Sequence, residues 1–167
     1  VTSEASRPAA APSSGRPAAT VLPPGRVLEG GRLKAYRPLP VAERHAALRA
    51  GLAAYRRGDV FLAHELLEPA WMGTDDPSER ALYQGLIKLS AGFVHAVRGN
   101  PRGVLNNLRP ARRRLAEVVA AGGPDGGLDL PALIAAIDDR IAVAEGLADA
   151  DVRPLPLDRP RLPRRRR

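Results

Sequence analysis

The sequence predicts an all-α protein, a compact bundle of about five helices with disordered N- and C-terminal tails. Three observations carry that expectation. The composition is rich in Ala, Leu and Arg and only 4% aromatic, with few Ile or Phe, which suits helices better than sheets. Apolar residues recur at three- and four-residue spacing through the middle of the chain. Cap residues, prolines and glycines then cut this region into five segments. A chain of 167 residues that is 44% hydrophobic can bury one sizeable core, so a single domain is expected.

The first segment, VTSEASRPAAAPSSGRPAATVLPPG, is rich in Pro, Ala and Ser and lacks periodic apolar positions. It cannot repay its ordering entropy, so residues 1–32 are expected to be a disordered tail and the helical domain to span residues 33–150. The first helix runs from about Val41 to Arg57, with Leu48, Leu52 and Tyr55 on one face and Gly58 stopping it. Asp59 can cap a second helix through about Met72, with Gly73 in the C′ position. In DDPSE, Asp76 is the N-cap, Pro77 sits at N1, and Glu79 falls where its side chain can bond back to the cap.

The third helix extends from Pro77 to about Arg98, and Gly99 ends it as a C-cap. Asn100 and Pro101 open a fourth, reaching about Ala121; Pro110 inside it is expected to bend or split the helix near Asn106 to Leu108. After the GGPDGG loop, Asp129 caps a fifth helix ending near Gly146. Short loops imply antiparallel neighbours. Gly85 and Gly92 mark places where another backbone approaches the third helix closely. The first two helices also look like one tetratricopeptide unit, but stacking arrays need about three, so a bundle is preferred. Residues 151–167, with four prolines in RPLPLDRPRLPRRRR, read as an extended, solvated Arg/Pro-rich tail.

The net charge is +8 with a pI near 11.0, and all of the excess lies at the ends: +3 over residues 1–35, zero over residues 36–150 and +5 over residues 151–167. Nucleic-acid binding through the Arg-rich tail is therefore one partner class to weigh. The cluster Arg109, Arg112, Arg113 and Arg114 cannot all face one way on a helix, and reads first as a solvated face. There is no cysteine, which excludes disulfides, thiol nucleophiles and cysteine-ligated zinc. No apolar run spans a membrane and no signal peptide is visible, so a cytoplasmic protein is expected, with no membrane partner. Val1 reads as a start codon translated literally, and the abundant Ala, Arg, Gly and Pro suit a GC-rich bacterial genome.

The stretch AHELLEPAWM begins like a zinc-protease signature and then departs from it. Where H-E-x-x-H places a second histidine, this chain has Glu68. His64, Glu68 and Trp71 share one helical stripe, with Glu65 beside it; Gln84, Lys88 and His95 form another on the third helix, and the two can meet. Three readings follow. A buried polar network would pair His64 with Glu68 or Glu65, with Gln84 and Trp71 donating hydrogen bonds. A polar pocket between helices two and three would take a small ligand or a protein partner. A divalent metal site would use His64 and Glu68 and draw its third ligand from His95, Glu65 or Gln84, with Lys88 as a competing cation. No cofactor is predicted beyond that possibility. Pro69 cannot donate to the carbonyl of Glu65, which frees an acceptor beside the stripe. Ser90 reads as a helix-packing hydroxyl and His45 as solvated, and no phosphate loop or nucleophile elbow is present.

The pattern GDVFLAHELLEPAW, then YQGLIKLSAGFVHAVRGNPRG, then LRPARRRL resembles the bacterial and archaeal family called domain of unknown function 309, over roughly residues 43 to 120. His64, Glu65, Glu68, Trp71, Gln84, Gly85, His95, Gly99, Asn100 and Gly103 match its pattern one by one. The resemblance implies a small all-helical domain and no established activity. The chain departs from the pattern at Lys88, where the family has a second Gln, and at Pro69, where an acidic residue is more usual.

The reading that leads is non-catalytic binding at the polar pocket. The alternatives are a metal-assisted hydrolase using His64 and Glu68, and nucleic-acid binding through the basic tails. If the protein is an enzyme, Glu68 or Glu65 is the candidate general base with His64 as its partner.

Overall fold

The computed structural model describes residues 25–29, 31–147 and 153–165. The described residues form a small antiparallel hairpin, β1 (Arg26–Glu29) and β2 (Arg32–Ala35), followed by α1 (Val41–Arg57), α2 (Val60–Met72), α3 (Pro77–Val97), α4 (Pro101–Ala120) and α5 (Leu130–Gly146). Consecutive helices pack on one another, and α3 is sandwiched between α2 and α4. The single core is built from Leu67, Leu82, Leu89, Leu108, Leu115 and Ile137, all buried. No described helix is long and apolar enough to cross a membrane.

The local signals act as their chemistry dictates. Asp59, Asp76, Asn100 and Asp129 each accept a hydrogen bond from a backbone N–H three residues on, at 2.6–3.0 Å. Gly58 and Gly99 stop α1 and α3 with φ of +95° and +66°, a region that L side chains disfavour. On α3, a β-carbon at Gly85 would fall 2.8 Å from the Leu115 side chain, and one at Gly92 would fall 2.8 Å from that of Leu108. The two glycines are thus notches that receive leucines of α4. Ser90 donates to the carbonyl of Leu86 at 3.0 Å, the packing role expected of it.

Five expectations are corrected. The tail expected to be disordered through residue 32 includes part of a hairpin: Arg26–Glu29 pairs with Arg32–Ala35, Val27 opposite Lys34 and Leu28 opposite Leu33. Gly73 is not a left-handed stop; its φ is −92°, and it is small because a β-carbon there would lie 2.4 Å from that of Leu39. Pro110 does not split α4, which is helical throughout. Glu79 does not bond back to Asp76; Thr74 Oγ1 accepts from the Asp76 N–H instead, at 3.2 Å. Finally, residues 153–165 are extended, as their prolines require, but they lie along the bundle instead of in solvent. Leu155 and Leu162 are buried in the core, Leu155 N–H donates to the Ala96 carbonyl and Arg165 N–H to that of Gly127, and the Asp129 N–H reaches the Pro163 carbonyl. The expected disorder of residues 1–24 lies outside the described residues.

What fixes α1, α2 and α3 together is a polar knot around Glu79. Its carboxylate accepts from Thr74 Oγ1 at 2.6 Å, Tyr83 Oη at 2.9 Å and Arg44 of α1 at 3.0 and 3.2 Å. Its neighbour Arg80, 2% exposed, donates to the carbonyls of Trp71 and Thr74 and places its guanidinium 5.1 Å from the Trp71 ring centroid. The α2–α3 turn is thereby tied to α1 and its open carbonyls are satisfied. Burial pushes the Glu79 carboxyl up, but the hydrogen bonds from Arg44, Thr74 and Tyr83 outweigh it and hold the group below the usual carboxylate range.

A group whose folded value is depressed stabilises the protein above its unfolded value and loses that contribution as pH falls through the folded one. Glu79→Gln should therefore destabilise the fold at neutral pH by about 3 kcal/mol, the scale for breaking a buried pair. Urea unfolding of both proteins as pH is lowered through the acid range should show the difference shrinking. A gap that is constant with pH would rule out the charged knot.

Candidate functional site

The one-turn offset between His64 and Glu68 on α2 brings His64, Glu65 and Glu68 together, with a ligating atom from each lying within 4.8 Å of the others. His64 Nδ1 and Glu65 Oε1 are 3.0 Å apart, with side chains 31% and 49% exposed. The pairing makes Nδ1 the donor and leaves Nε2 as the open nitrogen when the ring is neutral. Glu68 is half-buried and has no side-chain hydrogen bond among the described residues. The three groups thus form a half-open polar face that water, a cation or a donor from a partner can reach.

One turn further along, α2 turns inward. Trp71 packs against Arg80, and its Nε1 is buried with no hydrogen-bond partner among the described residues. On α3, Gln84 lies one turn beyond Arg80 on the same face, and its Oε1 is likewise buried and unpartnered. An indole donor at the end of α2 and an amide acceptor on α3 are therefore both left without a partner among the described residues. The expectation that Trp71 and Gln84 close a polar network is not met. Buried polar groups are paired in the great majority of cases, so two such atoms mark this junction out.

The rest of the α3 stripe goes elsewhere. Lys88 Nζ reaches Asn107 Oδ1 on α4 at 3.5 Å, so it does not stand over His64 as a competing cation. His95 belongs to the α3–α4 corner. Asn100 turns Oδ1 to the Gly103 N–H and presents Nδ2 to His95 Nδ1 at 3.3 Å, which makes Nδ1 the acceptor. A β-carbon at Gly103 would sit 2.4 Å from that ring nitrogen, so Gly99, Asn100, Gly103 and His95 act as one structural corner. Of the two ionisable residues offered as a third metal ligand, His95 and Glu65, only Glu65 joins His64 and Glu68 among the described residues. These three residues, one nitrogen and two carboxylate donors, suit a borderline or hard divalent ion.

The expected pocket between α2 and α3 is not one of the two large clefts, each of about 900 Å³; neither is lined by His64, Glu65, Glu68, Trp71 or Gln84. The site is a face of α2 with a buried end. The knot that holds this end, Arg44, Thr74, Glu79, Arg80 and Tyr83, was not anticipated from the sequence. Its one legible signal is the pair Glu79–Arg80 in the first turn of α3, charged residues where the helix must face its neighbours. The cluster at Arg109, Arg112, Arg113 and Arg114 proves to be a charge-paired face: the four side chains meet Glu145, Asp138 and Glu117 at 2.7–4.0 Å.

No curated protein and no solved structure matches the chain. The model of the family described as Domain of unknown function (DUF309) matches residues 48–107. That span runs from within α1 to within α4 and contains His64, Glu65, Glu68, Trp71, Gln84, Lys88 and His95. The helical segment 48–107 is thus similar to the DUF309 family, the family that the sequence resembles.

Proposed function

We propose that this domain is a non-catalytic binding module, and that its site is the α2 face from His64 to Trp71 together with Gln84 of α3. One observation carries the reading: Trp71 Nε1 and Gln84 Oε1 are buried donor and acceptor atoms with nothing bonded to them among the described residues. A ligand that offers an acceptor and a donor, such as a carboxamide or a peptide group, would satisfy both, while His64, Glu65 and Glu68 hold its outward, polar or cationic end. An unmade buried hydrogen bond costs about 1–3 kcal/mol, so a site kept in this state lowers the stability of the free protein. Gln84→Met, which keeps the length and removes the amide, should therefore raise stability by about 1 kcal/mol in chemical denaturation. A loss of similar size would show instead that Gln84 is bonded in solution and that the junction is a structural lock.

A second reading is favoured by the three ligand atoms within 4.8 Å: a divalent cation held by His64, Glu65 and Glu68. Such a set leaves positions for water or for a partner's carboxylate, and needs no chemistry of its own. Saturating zinc or manganese at about 100 times its dissociation constant should stabilise the wild type by about 2.7 kcal/mol. His64→Ala and Glu68→Ala should each remove that gain. No thermal shift with either ion, and no stoichiometric metal in the purified protein, would end this reading and the hydrolase that depends on it.

A further inference from the structure

Residues 153–165, with five arginines against one aspartate, carry most of the C-terminal charge excess along the bundle. Arg159 Nη2 donates to the Arg56 carbonyl of α1 at 3.0 Å, with its guanidinium 5.9 Å from the Tyr55 ring centroid. Tyr55 Oη donates to the Pro160 carbonyl at 3.2 Å, and Arg140 Nε of α5 to that of Asp158 at 3.1 Å. The docked strap has an open cleft on each side. One, of about 890 Å³, is lined by Arg56, Arg140 and Arg161 among others; the second, of about 900 Å³, by Arg49, Arg56, Arg164 and Arg165.

The charge balance of this face differs from that of α4. On α4, Arg109, Arg112, Arg113 and Arg114 all sit on carboxylates of α4 and α5. Beside the strap, Arg140 and Arg165 meet Asp139 and Asp125. Arg49, Arg56, Arg161 and Arg164 are exposed and have no carboxylate partner among the described residues. Arg49 and Arg56 are two helical turns apart and so share one face of α1. The strap thus lays its own arginines beside two unpaired ones of the family's helical segment.

We propose that this strap-and-α1 face binds the phosphodiester backbone of a nucleic acid without reading its sequence. Guanidinium groups spaced along a groove match phosphates repeated along a strand. The clefts are concave and open to solvent, as a continuous strand requires and a flat lipid surface does not. No exposed aromatic ring lines them: Tyr55 is buried and covered by Arg159, so there is no platform on which bases stack.

Fluorescence anisotropy with the full chain and either a short labelled single-stranded RNA or a short DNA duplex tests this. Four phosphate contacts should weaken binding about 10²-fold between roughly 50 and 200 mM salt. The pair Arg49→Ala with Arg56→Ala, and separately the pair Arg161→Ala with Arg164→Ala, should each lower the salt slope by about two. Arg109→Ala with Arg112→Ala should leave the slope unchanged. Either polymer bound with these dependences supports the face. Four results would each overturn it: no binding at low salt, equal losses for the α4 pair, no effect of the α1 pair, or binding only to phosphatidylserine vesicles.

Discussion

The carboxylate of Glu79 is the interaction on which the rest of the arrangement depends. It is 9% exposed, and it gathers donors from α1, from the α2–α3 turn and from its own helix. Burying a carboxylate is costly, and it stays ionised here because every direction open to it is filled by a donor. Burial, with the carboxylate it donates to, pushes the Tyr83 hydroxyl up, so Tyr83 remains a donor at any ordinary pH. Arg80 does the complementary work, satisfying the carbonyls that α2 leaves open at its end. The turn that joins the two helices of the proposed site is therefore fixed by side chains, not by the short loop alone.

That constraint explains why Trp71 and Gln84 can remain unpaired. Arg80 holds the indole by its face and holds the Trp71 backbone by its carbonyl, so the ring is positioned before Nε1 has any partner. A free indole in a soft core would rotate until its N–H found an acceptor. Here packing decides the orientation, and the polar edge is left without a partner among the described residues. His64 and Glu68 need no such support, because their one-turn spacing brings them together, and Glu65 joins them through its contact with His64.

The helices and their caps were legible because each signal is local: an Asp or Asn accepting from the N–H three residues on, a glycine at positive φ, a proline at N1. The hairpin was missed because its strands are four residues long and sit beside a Pro/Ala-rich segment that dominates the composition. The docking of the strap was missed for a different reason. Leu155 and Leu162 are too sparse for any periodicity, and only the folded core against which both are buried shows what they cover. At the site, the pairing of His64 with Glu68 on one stripe followed from spacing, while Glu65 was one of three candidates for the third position. The fate of Lys88 and His95 did not, since it turns on Asn107 and Gly103 of α4, which α3 alone cannot reveal.

The central claim is that the junction of Trp71 and Gln84 is held open in the free protein. Trp71 is the single tryptophan, so its indole N–H gives one isolated signal in a proton–nitrogen correlation spectrum. If Nε1 has no bond to Gln84, that signal should keep its position in Gln84→Met. A large upfield move of the indole proton in the variant would reveal a Trp71–Gln84 hydrogen bond in the wild type, and would contradict the account.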